Sequence, residues 1–500
     1  MPDITGNNQI DSLLAGDEYR WNSGQPFGTA ATVTYSFAEV LPTYADPDDP
    51  ENQGFSAFND AQKEATRTIL NRIASEYNIT FTEVSDSADS YGEMRFYNTN
   101  QGEVSSGAAN YPYSTGDDNG GDLYMNNADE TNLSNLVPGT FAWSTMVHEV
   151  GHAIGLKHPG NYNAGDSSPS AGETPFLPSS EDSVWYTVMS YTAAPQEQER
   201  DWFGILDLQA LAYLYGKKDI NTGDNTYTYT DAAGQILTMI DDAGGTDTID
   251  LSQLTLGATL DLRPGSLSSI GSAFDDSLGT NTLSLGLTVM IENAIGSGSN
   301  DTITGNDASN QLRGGAGDDS LTGGDGIDFA LFSGTNDAYS ISGNIASLSV
   351  QGTDGNDTLS GIERLLFDNT ALAFDLDGNA GFTAKLLGAV AGQAAVSNTQ
   401  YVGIGLNALD GGMSNEALMQ MALDTVLGSN FSNADLVNLL FSNLAGVSPS
   451  ETELATFTGL IDNGTYTPVS LAITAADHEL NTNNIGLVGL ADSGLQYTLV

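Results

Sequence analysis

Cysteine is absent from all 500 residues, and basic residues are scarce, with 13 Lys and Arg against 65 Asp and Glu. Without cysteine the chain can form no disulfide, no thiolate metal site and no cysteine nucleophile, so any metal must be held by histidine or oxygen ligands. The formal net charge of −52 opposes binding to phosphate backbones and anionic lipid. We therefore expect no nucleic-acid partner.

Long apolar runs are missing as well. No stretch reaches the ~18 to 20 apolar residues of a membrane span. Met1–Leu14 also lacks the basic start and the apolar run of a cleavable export signal. These two absences predict a chain without a transmembrane segment that is either cytosolic or exported by an unconventional route.

Composition divides the chain into three parts. Residues 1–218 contain all four tryptophans and most of the basic residues, which is typical of an α+β domain. Between residues 219 and 380 glycine becomes dense, and the only basic residues are Arg263, Arg313 and Arg364. Residues 381–500 are rich in Ala, Leu, Asn and Ser. We predict a multidomain protein with an α+β first domain, an all-β second domain and a C-terminal α-helical module.

Hydrophobic periodicity places the helices within these parts. Apolar residues at three- and four-residue steps predict helices over residues 55–77, 141–154, 416–427 and 433–444. Gly155 follows the second of these and is a plausible C-cap, because glycine accepts the left-handed conformation that ends a helix. A strand is predicted at residues 122–126.

Three of the four histidines lie in one eleven-residue segment, residues 148–158. His148 and His152 are four residues apart on the predicted helix, so both imidazoles can reach one ion. Gly155 turns the chain and brings His158 round as a third ligand. Three imidazoles without a thiolate suit Zn²⁺ and leave a fourth position for water. Glu149 is offset from His148 by ~100° of helix turn and would meet that water as a general base.

A second run, residues 187–191, contains Met189 and Tyr191. Met189 is either ordinary core filling or the methionine of a turn beneath the metal. Tyr191 is either a packed aromatic or a phenol that donates a hydrogen bond in the transition state.

Residues 17–218 resemble the catalytic domain of the serralysin-type secreted bacterial metalloproteases, which are metzincins. The resemblance rests on residues 148–158, on the proline and glycine that follow in His158-Pro159-Gly160, and on Met189-Ser190-Tyr191. It continues through residues 206–216 and 291–296. By position it implies that His148, His152 and His158 bind zinc, that Glu149 is the base, that Tyr191 stabilises the transition state and that Met189 is structural.

The same resemblance implies further features of the first domain. It makes residues 121–127 the edge strand to which an extended peptide substrate adds, through Gly121, Asp122, Leu123, Tyr124 and Met125. Residues 1–16 become a removable prosegment, as in a zymogen, or an N-terminal arm. The implied enzyme is a zinc metalloendopeptidase that acts on protein and peptide substrates.

Glycine-rich units recur every nine residues between residues 296 and 328. Their last positions are Asp301, Asn310, Asp319 and Asp328, and two single units end in Asp247 and Asp357. A short strand with Ile303, Leu312 or Leu321 follows each turn, and stacked strands can bury these side chains. Turn carbonyls and Asp carboxylates are the hard oxygen ligands that Ca²⁺ prefers. The predicted calcium ligands are Asp301, Asp319, Asp328 and Asp357 by side chain, and Gly296, Gly298, Gly314, Gly315, Gly317, Gly323, Gly324 and Gly326 by turn backbone.

These units resemble the calcium-binding RTX repeats of proteins exported by type I secretion machinery, which fold as a parallel β-roll. The resemblance implies an extracellular protein with several structural Ca²⁺ ions, folded by calcium after export. The predicted domains are 1–16, 17–218, 219–380 and 381–500. The last segment carries no catalytic cluster. We consider an export signal near its end, and a cell-surface partner for the segment as a whole.

The expected function is a secreted, calcium-stabilised zinc endopeptidase of extracellular proteins. One alternative is a calcium-binding surface-layer or adhesion protein with a vestigial protease domain. The other is a processing protease of narrow specificity.

Overall fold

The computed structural model of the chain describes residues 5–46, 48, 52–102, 105–113, 118–163 and 174–499. Within them the chain divides into two units. The first comprises residues 1–248 and 253–291, and the second comprises residues 249–252 and 292–500. The predicted boundaries at residues 218 and 380 do not coincide with this division.

The first unit begins with a mixed α/β arrangement. Its helices are α1 (Asn8–Asp11), α2 (Asp60–Glu76), α3 (Thr131–Ser134), α4 (Phe141–Ala153) and α5 (Ile205–Tyr215). Its first strands are β1 (Ala31–Phe37), β2 (Ser56–Ala57), β3 (Ile79–Glu83), β4 (Met94–Thr99), β5 (Gly107–Ala109), β6 (Leu123–Asn126), β7 (Glu199–Arg200), β8 (Thr226–Thr230) and β9 (Ile236–Ile240).

Helix α2 begins later than the pattern over residues 55–77 predicts. The side chain of Asn59 accepts a hydrogen bond from Gln62 N, and the Gln62 side chain accepts one from Asn59 N, which forms a capping box. The residues before Asn59 include strand β2, so the apolar periodicity extends beyond the helix itself. Ile69 and Ile73 are fully buried in the core.

One sheet of the first unit has the order β3-β1-β4-β6-β5, and β2 pairs with β4. Strands β1, β3, β4 and β6 run parallel, whereas β5 pairs antiparallel with β6 through Gly107↔Met125 and Ala109↔Leu123. The predicted edge strand at residues 121–127 is therefore wrong, because β6 lies between β4 and β5. The edge is β5. Its short sequence, Gly-Ala-Ala, lacks the alternation of apolar and polar residues by which a strand is predicted.

The N-terminal arm packs into this unit. Leu13 and Leu14 are buried in the core, and the Leu13 carbonyl accepts a hydrogen bond from Lys157 N at 2.9 Å. The Lys157 ammonium is also buried and donates to the Ser12 carbonyl at 2.8 Å. These contacts favour an integral arm over removal as far as residue 16. Residues 1–4 of the predicted segment lie outside the described residues.

The next strands are β10 (Thr248–Gln253), β11 (Thr259–Asp261), β12 (Leu267–Ser268) and β13 (Leu283–Leu285). In the first unit a second sheet has the order β12-β13-β9-β7. It positions Glu199 and Arg200 of β7, which pair in parallel with Ile236 and Leu237.

The second unit combines short strands with helices. Its further strands are β14 (Asn293–Ile295), β15 (Thr302–Thr304), β16 (Gln311–Arg313), β17 (Ser320–Thr322), β18 (Phe329–Leu331), β19 (Ser340–Asn344), β20 (Ser347–Gln351), β21 (Asn356–Ser360), β22 (Arg364–Leu366), β23 (Ala371–Ala373) and β24 (Leu495–Tyr497). Its helices are α6 (Asn379–Ala391), α7 (Thr399–Asp410), α8 (Asn415–Leu427), α9 (Asn433–Ala445), α10 (Glu451–Asp462), α11 (Pro468–Ala476), α12 (Glu479–Asn484) and α13 (Leu487–Ser493).

Successive nonapeptide strands belong to different sheets. Strand β14 pairs in parallel with β16 and β16 with β18, whereas β15 pairs with β17 and β17 with β21. One complete turn of the chain therefore takes two repeats. Ile303, Leu312 and Leu321 are buried, as their phase predicts.

The last strand joins the helical part to a repeat sheet. Strand β24 pairs antiparallel with β23, and Leu495 and Tyr497 are buried in a core that also contains residues from α6 to α11. Residues 495–497, near the end of the chain where we consider an export signal, thus form sheet structure, and Val500 lies outside the described residues. No helix in the described ranges is long and apolar enough to cross a membrane.

Candidate metal centre and cleft

Helix α4 carries two of the three metal-site histidines. Thr140 caps its N-terminus by accepting a hydrogen bond from Trp143 N at 3.4 Å, and Gly155 follows it with a φ of +107°. His148 and His152 share one face of the helix, and the turn at Gly155 returns His158 to them. The Nε2 atoms of His148 and His152 lie 3.1 and 3.0 Å from His158 Nε2.

The hydrogen bonds of the three Nδ1 atoms fix the tautomers of the histidines. His148 Nδ1 contacts the Val188 carbonyl at 2.8 Å, and His152 Nδ1 contacts the Leu156 carbonyl at 2.7 Å. His158 Nδ1 contacts Asn163 Oδ1 at 2.7 Å. A carbonyl oxygen only accepts hydrogen bonds, so each Nδ1 carries the proton and donates. The Val188, Leu156 and Asn163 partners are absent from the sequence-based prediction.

Three Nε2 lone pairs therefore converge without a proton between them. Burial lowers the pKa of His148 to about 3, with the neighbouring His158 as a smaller cause, and it also lowers the pKa values of His152 and His158. All three imidazoles are thus kept neutral. Three neutral imidazoles with oriented Nδ1 partners fit Zn²⁺.

Glu149 lies beside the three histidines and is 6% exposed. Burial raises the pKa of its carboxyl to about 8. Gly107 of the edge strand β5 approaches it so closely that an added Cβ would lie 2.9 Å from Glu149 Cγ. A carboxyl with a pKa near neutrality, beside a strand edge, is suited to taking up and returning a proton.

Met189 lies under the site. It is fully buried, and an added Cβ at Gly151 would lie 2.7 Å from its Sδ, so helix α4 rests directly on this side chain. The run 187–191 is anchored by Asp207 of α5, which accepts from Thr187 Oγ1 at 2.5 Å and from Val188 N at 2.7 Å.

Tyr191 lies at the surface of the site and is 47% exposed. Its ring centroid is 4.6 Å from that of His158 and 4.8 Å from that of Tyr162, on which it stacks. Tyr162 donates to Asp182 Oδ1 at 2.6 Å and accepts from Tyr191 N at 3.3 Å. Tyr162 and Asp182 thus support the Tyr191 backbone, and both were missed in the sequence.

The predicted substrate-binding residues do not face the cleft as an edge. Strand β6 is buried, and Asp122 accepts from Tyr44 Oη at 2.6 Å and from Arg95 N at 3.0 Å. Cavities of about 860 and 810 Å³ flank Glu149, and both are lined by Gly107 and Tyr191. The cleft therefore runs past β5.

In the second unit the predicted calcium residues form two ladders. Asp319 Oδ1 accepts from Asp301 N at 2.8 Å, and Asp357 Oδ1 accepts from Asp319 N at 2.9 Å. In the other ladder Asp328 Oδ1 accepts from Asn310 N at 2.7 Å. Glu363 Oε2, which was not predicted, accepts from Asp328 N at 2.8 Å.

Two of the ladder carboxylates each have one oxygen that makes no hydrogen bond in the ladder. Asp319 Oδ2 and Asp328 Oδ2 are buried without a hydrogen-bond partner among the described residues. Burial raises the pKa of each to about 7, and neighbouring carboxylates add to the shift. Asp301 differs, because it accepts from Ser297 N at 2.6 Å within its own turn. Burial likewise raises the pKa of Asp357 to about 6.

The predicted glycines surround these carboxylates. Added Cβ atoms at Gly296, Gly314 and Gly323 would lie 2.6, 2.1 and 2.3 Å from the Oδ2 atoms of Asp301, Asp319 and Asp328. The later turn glycines have positive φ angles: they are Gly315, Gly317, Gly324 and Gly326. Gly298 has neither a positive φ nor a neighbour within 4 Å of an added Cβ, so the fold does not require glycine there.

Comparison with known proteins finds similarity in both the metal-site region and the repeat region. A family model described as metallo-peptidase family M12 matches residues 34–202, and one described as peptidase M10 serralysin C terminal matches residues 207–396. The chain is 32% identical over 329 residues to serralysin of Proteus mirabilis and 31% identical over 316 residues to serralysin C of Dickeya chrysanthemi. The chain is related to the serralysin-type metalloproteases.

The relationship to serralysins is partial in length. The aligned region with the Proteus mirabilis serralysin covers 60% of this chain and 64% of that protein. With serralysin G of Dickeya chrysanthemi it covers 62% and 66%, at 29% identity. The chain thus spans less than two thirds of these serralysins, while the matched models together include the histidines, Glu149, Tyr191 and the repeats.

Proposed function

We propose that the chain is a secreted zinc endopeptidase that hydrolyses internal peptide bonds of extracellular proteins. The observation that carries this proposal is the convergence of three unprotonated Nε2 atoms beside a buried carboxyl. His148, His152 and His158 would hold the metal. Bound there, Zn²⁺ would act as a Lewis acid on the scissile carbonyl and lower the pKa of water.

The remaining chemistry belongs to this chain's own residues. Glu149 takes the proton of the attacking water and returns it to the leaving amine, for which its raised pKa is suited. The Tyr191 phenol donates a hydrogen bond to the developing oxyanion. An extended substrate adds to the edge strand β5, where backbone pairing reads no side chains and permits many sequences.

We further propose that residues 219–380 form a parallel β-roll stabilised by calcium. The parallel pairing of alternate repeats and the buried Oδ2 atoms of Asp319 and Asp328 support this. Without calcium the clustered carboxylates repel one another, so the repeats would stay unfolded in a low-calcium cytosol. This behaviour suits export through type I secretion machinery. Residues 17–218 are the proposed catalytic domain, and residues 381–500 the helical module.

Hydrolysis of casein tests the enzymatic proposal. The purified chain is expected to cleave casein, to lose this activity with a zinc chelator and to regain it with added Zn²⁺. Glu149→Ala should bind zinc but be at least ~100-fold less active, and the exposed control Glu39→Gln should match the parent. A zinc-free, inactive chain would favour the adhesion alternative, and cleavage confined to one protein would favour a processing protease.

A further inference from the structure

The larger cavity of the cleft lies beside His148. It has a volume of about 860 Å³ and extends from Glu149 and Tyr191 along helix α4. Its wall contains the carboxyl groups of Asp129, Glu130 and Glu199. None of the described residues that line it is a lysine or arginine, so the charged side chains of its lining are carboxylates.

Glu199 of β7 lines the cavity together with residues of the metal-site helix. One of these residues is Ser144 of α4. Ser144 lies four residues before His148 on α4, so the two share one face of the helix. His148, Glu149 and Glu199 line the same cavity, so a substrate side chain next to the scissile bond can reach Glu199 from the metal site.

The arginine that follows Glu199 does not neutralise it. Arg200 is buried, and its guanidinium donates to the carbonyls of Val184 at 3.0 Å, Trp185 at 3.1 Å and Trp202 at 2.9 Å. Successive side chains of a strand point to opposite faces, so Arg200 anchors the loop behind the wall while Glu199 lies at the cavity. No ion pair to Glu199 is formed within the described part of the chain.

Glu199 is half-buried, and burial raises the pKa of its carboxyl, with the Ser144 hydroxyl opposing that shift. A cationic side chain next to Glu199 would stabilise the charged form of its carboxyl, which burial disfavours. The cavity also has an apolar portion formed by Phe141, Val184 and Val188. These side chains suit the methylene stem of a long basic residue.

Resting on the proposed peptidase function, we propose that this cavity binds a lysine or arginine side chain of the substrate adjacent to the scissile bond, and that Glu199 determines this preference. The enzyme then combines sequence-tolerant backbone pairing along β5 with charge selection at one position.

Fluorogenic peptides test the preference. They are identical except for Arg, Leu or Glu at each of the two positions that flank the cleaved bond. At one position kcat/KM is expected to be about tenfold or more higher for Arg than for Leu, and lowest for Glu. E199Q should reduce the Arg-to-Leu ratio about tenfold and preserve cleavage of the Leu peptide. Glu199→Arg should favour the Glu peptide.

Matched variants show which carboxylate causes the preference for arginine. Glu130→Gln, at the rim, should retain most of the preference, and the exposed control Glu39→Gln should retain all of it. Glu199→Asp keeps the charge and should retain the Arg preference, which covers the case in which E199Q fails to fold. If E130Q alone abolishes the preference, the assignment to Glu199 is wrong.

Different results would contradict the specificity proposal and the proposed peptidase function. Cleavage of all peptides with equal Arg-to-Leu ratios in the parent and E199Q overturns the specificity inference and leaves the peptidase function standing. If the parent, with zinc bound and its fold intact, cleaves none of the peptides or casein, the proposed function itself fails.

Discussion

Asp207 is connected to His148 through the backbone of a single residue, Val188. Its Oδ2 accepts a hydrogen bond from Val188 N at 2.7 Å, and the Val188 carbonyl accepts one from His148 Nδ1 at 2.8 Å. The same Oδ2 accepts from Gly204 N at 2.7 Å at the start of α5. One buried carboxylate thus joins α5, the run 187–191 and the metal-site histidine.

Asp207→Asn is expected to weaken both the fold and the metal site. The amide oxygen can accept from Val188 N and Gly204 N, and the amide nitrogen can donate to the Thr187 hydroxyl, but these buried hydrogen bonds lose the negative charge that strengthens them, at a cost of about 1–3 kcal/mol in the free energy of unfolding. Loss of orientation at His148 should lower zinc affinity ~10- to 100-fold. Competition with a zinc-binding dye and urea denaturation measure the two effects.

The control for Asp207 is Asp219→Asn, an exposed carboxylate elsewhere in the first unit. It should change neither zinc affinity nor stability. Unaltered zinc affinity in a folded D207N chain would contradict the proposed linkage.

Local sequence patterns predicted the metal-site helix, because the i, i+4 spacing of histidines and the terminating glycine act within eleven residues. They also placed Ile303, Leu312 and Leu321 in the core. Both features depend on neighbours along the chain, so a periodic sequence is sufficient to reveal them.

The features that the sequence did not predict depend on contacts between distant segments. Val188 meets His148 across 40 residues, and Thr187 meets Asp207 across 20. Strand β5 carries no alternation, so β6 was mistaken for the edge. Likewise, the alternation of repeats between two sheets depends on strand pairing and not on the nine-residue period.

Tyr191→Phe should lower kcat more than it raises KM. The phenylalanine ring can preserve the stack on Tyr162 at 4.8 Å but cannot donate to an oxyanion. We expect a loss of ~10²-fold or more in kcat with zinc content unchanged. Steady-state kinetics on one peptide, together with metal analysis, measure this.

Tyr162→Phe is the matched control, because it removes a phenol from the same stacked pair. It abolishes the contacts with Asp182 and Tyr191 N and should have a smaller effect on kcat than Tyr191→Phe. Equal losses in the two variants would mean that Tyr191 acts through position alone.

Asp319→Asn should change stability in opposite directions with and without calcium. In chelator it removes one of the clustered carboxylates whose repulsion keeps the repeats unfolded, while an amide oxygen can still accept from Asp301 N, so the folded fraction of the repeats should be equal or higher. In calcium it removes a carboxylate that we propose as a ligand, and the calcium midpoint should rise about tenfold. Thermal unfolding across a calcium titration measures both.

The exposed carboxylate of Asp325, in the next glycine turn, provides the control. Asp325→Asn should leave the calcium midpoint within about twofold, because solvent already screens this group. A D319N chain with the same calcium response as its parent would argue against a calcium site at this ladder.

Arg364→Met should destabilise the second unit. Arg364 of β22 is buried and pairs with Asp375 and, at 3.0 Å, with Asp410 at the end of α7. Removing the cation leaves two carboxylates without their partner, which should cost about 3–5 kcal/mol in the free energy of unfolding. The triple variant R364M/D375N/D410N should recover much of that loss, because no carboxylate remains unpaired. Urea denaturation distinguishes them, and a triple variant no more stable than R364M would mean that packing around Arg364, and not charge, holds β22 to the helices.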